Sequence, residues 1–150
     1  MTVNDKKAIL KVEEVKMDFT VGGQLIPVLK GISLQINSGD FAIIFGPSGC
    51  GKSTLLHCIL GMEKPTSGRV IIDDADMSAM TEDEIVTFRK DRIGIVFQQA
   101  IWIKSLGVLE NVSFPNILRG KTIEESQRLA LETLKEVKLD AWADHHPNSL

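Results

Sequence analysis

The stretch GPSGCGKST, running from Gly46 to Thr54, gathers glycines, a lysine and hydroxyl side chains into a few positions. Gly46, Gly51, Lys52 and Ser53 satisfy the pattern G-x-x-x-x-G-K-[ST]. A polyphosphate needs many donors converging from a compact arc, and backbone N–H groups supply them when side chains stay clear. Gly46, Gly49 and Gly51 clear that space, while Ser48 and Cys50 present their backbone from the positions between. A helix opening at Lys52 would turn its positive end toward the same anion. Lys52 would then reach the β- and γ-phosphates of a nucleotide, Ser53 would ligate Mg2+, and Thr54 would offer a hydroxyl near the α-phosphate, which leaves kinases, GTPases and ATPases open. With glycine at about 7%, a random chain of this size matches the pattern about once in a few hundred. Cys50 also raises a reactive-thiol reading, because a helix N-terminus lowers thiol pKa. A small residue presenting its backbone is the simpler account of it.

The elements around this stretch must hold it in place. The apolar run Phe41–Phe45 leads into it and reads as a strand covered on both faces, as in a parallel α/β sheet. A helix is expected from about Lys52 to Leu60, stopped by Gly61 and Pro65. Upstream, Ala8–Met17 and Val28–Ile36 have strand character, with turns at Gly22–Gly23 and Asn37–Asp40. Downstream, Ser67–Asp74 reads as turn and strand, and Arg92–Gln99 as a further buried strand ending in glutamines. Thr81 with Glu84, and Thr122 with Glu125, have the spacing of capping boxes ahead of helices. Ile123, Ala130, Leu134 and Val137 recur at helical spacing.

Composition narrows the function classes. The 150 residues suffice for one domain with its own core. A net charge of -3, from 17 Lys+Arg against 20 Asp+Glu, argues against a nucleic-acid binder working through a broad basic surface. No apolar run approaches the roughly 18 to 20 residues that span a bilayer, and MTVNDKKAIL lacks the apolar stretch of a secretory signal. Cys50 and Cys58 form neither a disulfide framework nor a zinc spacing, so a reducing compartment is expected. His145 and His146 have no partner ligands nearby in sequence and read as a solvated loop.

GISLQINSGDFAIIFGPSGCGKSTLL, TSGRVIIDD, RIGIVFQQ and LGVLENV together resemble the nucleotide-binding domain of ABC transporters, over nearly the whole chain. The spacing from Gln98 to LENV is most similar to the lipoprotein-release and macrolide-export branch. The resemblance implies a P-loop NTPase with a RecA-like core, an N-terminal antiparallel β region and the start of the family's helical region. It would form a single domain, with the β region and P-loop core over about 1–98 and the Q-loop and helical region over about 99–150. Gln98 would be the glutamine that touches Mg2+ and the attacking water. Phe19 falls where the family has an aromatic residue stacking on adenine; a core aromatic in a β region is the competing account. Asp73–Asp74 stands for the family's Asp-Gly turn, Lys138 for the glycine of VGL, and Lys104 for a frequent proline. The apolar IWIKSL (Ile101–Leu106) would either receive a membrane-spanning subunit or pack on the chain's own helices.

The family continues from P-x-x-L into LSGGQ, and here HHPNSL reaches Leu150, aligned with the first letter of that signature. The chain therefore reads as the N-terminal portion of such a domain, incomplete at its C-terminus. The signature, the Walker B acids and the switch histidine are not among these residues. Three expectations follow from the resemblance. The stretch binds MgATP and turns it over inefficiently, since phosphoryl transfer to water needs a group that orients or deprotonates that water. Its partners are a membrane-spanning subunit and a second nucleotide-binding domain, which places it in the cytoplasm against the inner face of the membrane. Phe41–Phe45 is left partly unpaired, an aggregation liability. Two other readings stay open: a non-catalytic interaction module, and another P-loop enzyme such as a small kinase, in which Gln98 has no special role.

Overall fold

A computed structural model describes residues 6–99 and 101–149. The chain forms two compact units, divided between Ile95 and Val96. In the first, β1 (Ala8–Val21) and β2 (Gln24–Asn37) make a long antiparallel hairpin about the Gly22–Gly23 turn. β3 (Ser67–Ile72) pairs antiparallel with the other edge of β1, and the short β4 (Ala75–Asp76) pairs with β3, giving the order β2-β1-β3-β4. The hairpin is built where apolar and polar residues alternate, as the sequence pattern requires of a sheet with one covered face.

One irregularity matters for the core. Val12 pairs with Leu34 and Val15 with Ile32, and the register is broken between them. The extra residue of this bulge puts both valines on the same face despite their odd spacing, at 2% and 0% exposure. They join Leu29, Leu55, Cys58, Val70 and Met77 in the buried cluster. The cover on this face is α1 (Lys52–Ile59), through Leu55 and Cys58, with a single 3-10 turn at Met77–Ala79. α2 (Glu82–Arg92) opens on the capping box anticipated from sequence: the Thr81 hydroxyl accepts from the Glu84 amide, and Glu84 accepts from the Thr81 amide at 2.8 Å. Ile85 and Phe88 of α2 pack against the cluster.

In the second unit, α3 (Val108–Leu118) packs on α4 (Ile123–Glu136). Ser126, Ala130 and Leu134, one turn apart along α4, are its buried residues, and Val108 and Ser113 are those of α3. Thr122 caps α4 by accepting from the Glu125 amide.

Two expected strands are not formed. Phe41–Phe45 carries no ladder, with Phe41 and Phe45 each 89% exposed and Ile43 69% exposed. Of Arg92–Gln99, Arg92 closes α2, Ile93–Phe97 has no regular structure, and Val96 is 100% exposed. A strand exists through its pairing, and β1 to β4 pair among themselves without lying alongside either segment. The apolar composition that suggested strands covered on both faces is real; the cover is not supplied by the described residues.

Candidate functional site

Residues 46–51 form a loop that runs directly into α1, whose first three residues are Lys52, Ser53 and Thr54, in the first unit. The backbone of Gly46, Gly49 and Gly51 lies at φ of 154°, 79° and 96°. Gly51 is the N-cap of α1, in the left-handed region (φ 96°, ψ 8°), and no side chain caps this helix end. The requirement for glycine at position 51 is double. A side chain would be strained at that φ, and a Cβ there would lie 3.0 Å from Leu29 Cδ2 and 3.2 Å from Val28 Cγ1. The loop thus rests its last residue directly on β2.

Within the loop the Cys50 amide donates to the Pro47 carbonyl at 3.4 Å. The first helical bond runs from the Leu55 amide to the Gly51 carbonyl at 2.8 Å. The N–H groups of Lys52, Ser53 and Thr54 precede it in the opening turn, where a helix offers no acceptor of its own. Positive φ values in the loop and an uncapped helix start make a concave set of N–H groups of the kind that binds anions. Lys52 folds over the loop: its Nζ donates to the carbonyls of Gly46 at 2.9 Å and Pro47 at 2.7 Å. Ser48, Gly49, Cys50 and Ser53 are exposed, and Thr54 is half-buried. The Cys50 thiol is free and exposed, with Sγ 3.9 Å from Lys52 Nζ.

At its other end α1 is held against α2. Gly61 follows the helix at φ 64°, where a Cβ would lie 2.6 Å from Ile85 Cγ2. The Arg89 guanidinium donates to the Gly61 carbonyl at 3.3 Å, meeting the negative end of the helix dipole. A groove of about 550 Å3 lies here, with Cys58, Met77, Ile85 and Arg89 in its wall. It is distinct from the loop, which is open surface. Burial raises the Cys58 thiol pKa, and the nearby Glu63 charge adds to the shift, so this thiol stays protonated in the core.

The structure places Gly46, Ser48, Gly49, Cys50 and Gly51 in one loop and Lys52, Ser53 and Thr54 in the opening turn of α1. Phe19 belongs to the same unit: it is half-buried on β1 opposite Ile26, along β2 from the residues that support Gly51. Gln98 is exposed, in the second unit. Sequence reasoning missed the contact of Val28 and Leu29 with the loop, for which an ordinary strand pattern gives no signal. It also missed Asn111, whose side chain accepts from the Ile103 amide at 2.8 Å and faces the carbonyls of Leu106 and Gly107 at 3.0 and 2.9 Å. Asn111 thereby organises the segment carrying IWIKSL, in which Ile101 is 72% exposed and Trp102 half-buried. His145 and His146 are exposed, as expected, but anchored: the His146 Nε2 lies 2.8 Å from the Lys104 carbonyl, and the His145 ring packs on Trp142. No group of His, Cys, Asp and Glu among the described residues has the arrangement of a metal site, and Leu150 lies outside the described residues.

The sequence profile of the family described as ABC transporter matches residues 29–150. The chain is 40% identical over 146 residues to the uncharacterized ABC transporter ATP-binding protein MJ0796 of Methanocaldococcus jannaschii, covering 95% of this chain and 62% of that protein. It is 39% identical over 125 residues to the lipoprotein-releasing system ATP-binding protein LolD of Buchnera aphidicola, covering 83% of this chain and 55% of that protein. Among solved structures, a dimer of the ATP-binding cassette MJ0796 in a post-hydrolysis state with ADP and Pi superposes with a TM-score of 0.85 at 41% identity, over 94% of this chain and 62% of that one. The fold is that of a P-loop ATP-binding cassette, and the chain spans about 62% of the length of that relative.

Proposed function

The chain belongs to the ABC transporter ATP-binding family, and from that premise we propose that residues 46–54 bind the triphosphate of ATP with Mg2+. The observation that carries this reading is the uncapped start of α1 behind a loop of positive-φ glycines, with Lys52 Nζ lying across it. The N–H groups of the loop and of the opening turn receive phosphate oxygens, and the Lys52 ammonium exchanges two loop carbonyls for the β- and γ-oxygens. Ser53 holds Mg2+, which neutralises charge on the β- and γ-phosphates. Ser53 fits this role, because its side chain is exposed beside the loop with no protein partner among the described residues. Thr54 lies nearer the α-phosphate, and Phe19 stacks on the adenine through its ring face. Gln98 completes the Mg2+ and water contacts when the two units act together.

In this reading the protein is the ATP-binding part of a transporter, working in the cytoplasm. It pairs with a second nucleotide-binding domain and drives a membrane-spanning subunit that docks near Ile101–Leu106. Support for the pairing comes from the dimeric solved relative. The described residues include no helix long and apolar enough to cross a membrane. Residues 1–150 act as a single domain that binds MgATP. Lys52→Ala is expected to weaken ATP binding by about 2–5 kcal/mol, the cost of removing one partner of a desolvated charge pair. Calorimetry with MgATP checks this, and equal affinity in the two proteins would overturn the assignment.

A further inference from the structure

We propose that Leu29, seconded by Val28, is a positioning residue for the phosphate loop. The inference rests on the reading of residues 46–54 as a phosphate site and extends it to the element beneath. Leu29 is 4% exposed and belongs to the same buried cluster as Leu55 of α1. Its Cδ2 lies 3.0 Å from where a Gly51 Cβ would be, and the Val28 carbonyl lies 3.4 Å from that point. Gly51, with no side chain of its own, therefore lies against the Leu29 and Val28 side chains of β2. The same residue closes the first bond of α1, from the Leu55 amide to the Gly51 carbonyl at 2.8 Å.

Leu29 thus lies beside Gly51 at one end of a short linkage and shares the buried cluster with Leu55 at the other. The amides of Gly51, Lys52 and Ser53 are consecutive, so their directions are set together by where Gly51 sits. Withdrawing the Leu29 methyl lets Gly51 settle toward the sheet and rotates these donors away from the anion. The side chain touches no phosphate itself. It acts through the backbone of Gly51, and its effect falls on ligand affinity apart from the general stability of the core.

The experiment uses the full 150-residue chain. MgATP affinity is measured by calorimetry and ligand-free melting by circular dichroism, for Leu29→Ala, Leu29→Met and Val70→Ala. Val70 is buried in the same cluster at 1% exposure and is not among the atoms near Gly51. Leu29→Ala is expected to raise the MgATP Kd about tenfold, a misplacement effect. Leu29→Met, which keeps the reach to Gly51, should stay within about twofold, while Val70→Ala lowers the melting temperature and also leaves Kd within about twofold. Inorganic tripolyphosphate should lose affinity in the same ratio as ATP, because the displaced donors face phosphate and not the base. Should Leu29→Ala fail to fold, Leu29→Val is the gentler substitution, with an expected loss of about threefold. Unchanged Kd in the folded Leu29 variant, or an equal loss in Val70→Ala, overturns the positioning role alone. Absence of MgATP binding by the unsubstituted chain overturns the phosphate-site reading and this one with it.

Discussion

Lys138 stands just past the end of α4 with φ at 61°, in the left-handed region that suits glycine. The Leu139 amide donates back to the Leu134 carbonyl at 2.8 Å and the Lys138 amide to that of Lys135 at 3.0 Å, a double closure of the helix end. α1 and α3 end in the same way, with Gly61 and Gly120 at the equivalent place. Of these three helix ends, only that of α4 puts a Cβ in the strained position. Lys138→Gly is therefore expected to stabilise the protein by about 1 kcal/mol, the scale of the left-handed penalty, measured by thermal or urea denaturation. Sequence alone could note that a lysine replaces the family's glycine; the reason became visible only with the closure bonds. Lys52 is the opposite case, because motif spacing singled it out before any coordinates, and the structure adds the two carbonyls to which it donates. Phe19 lies between them. Its burial on β1 fits either a core aromatic or a base-stacking one, and the choice belongs to the nucleotide-binding experiment.

Among the elements, those whose signals are local were legible. The Gly22–Gly23 hairpin, α1 with its Gly61 stop, and the capped starts of α2 and α4 depend on residues within a turn of one another. The runs at Phe41–Phe45 and Ile93–Phe97 depend on strands far away in sequence, and composition cannot say whether those strands are there to pair. The bulge between Val12 and Val15 was illegible for a related reason: it is defined by its partners on β2 and β3. The capping box of α2 makes a definite statement about acid. The amide and hydroxyl of Thr81 hold the Glu84 carboxyl below its ordinary value of 4.5. A group depressed on folding stabilises the native state above its unfolded pKa and loses that contribution as pH falls through the folded one. The stability difference between the protein and Glu84→Gln should thus be constant above about pH 4.5 and shrink on further acidification. Urea denaturation across pH 3 to 7 measures it; a difference that grows toward low pH contradicts the box.

For the whole molecule, the first unit carries the phosphate loop on its sheet and the second carries Gln98, and function as proposed requires both. The first unit also exposes a contiguous apolar run. Phe41 and Phe45 at 89% exposure, immediately before the loop, form an unpaired segment of the kind that recruits other chains. Light scattering should show concentration-dependent self-association of the 150-residue protein. The double substitution Phe41→Lys, Phe45→Thr should suppress it while leaving the far-ultraviolet circular dichroism unchanged; equal association in both proteins would mean that the apolar run is not responsible. The two cysteines give the molecule a built-in clock. Cys50 is open to solvent, whereas Cys58, on the face of α1 turned to the core, is buried at 2% exposure. A thiol reagent therefore meets one fast and one slow sulfur in each chain, and the slow one reacts only as often as the packing beneath α1 comes apart. Its rate times the opening of the first unit and is blind to the second.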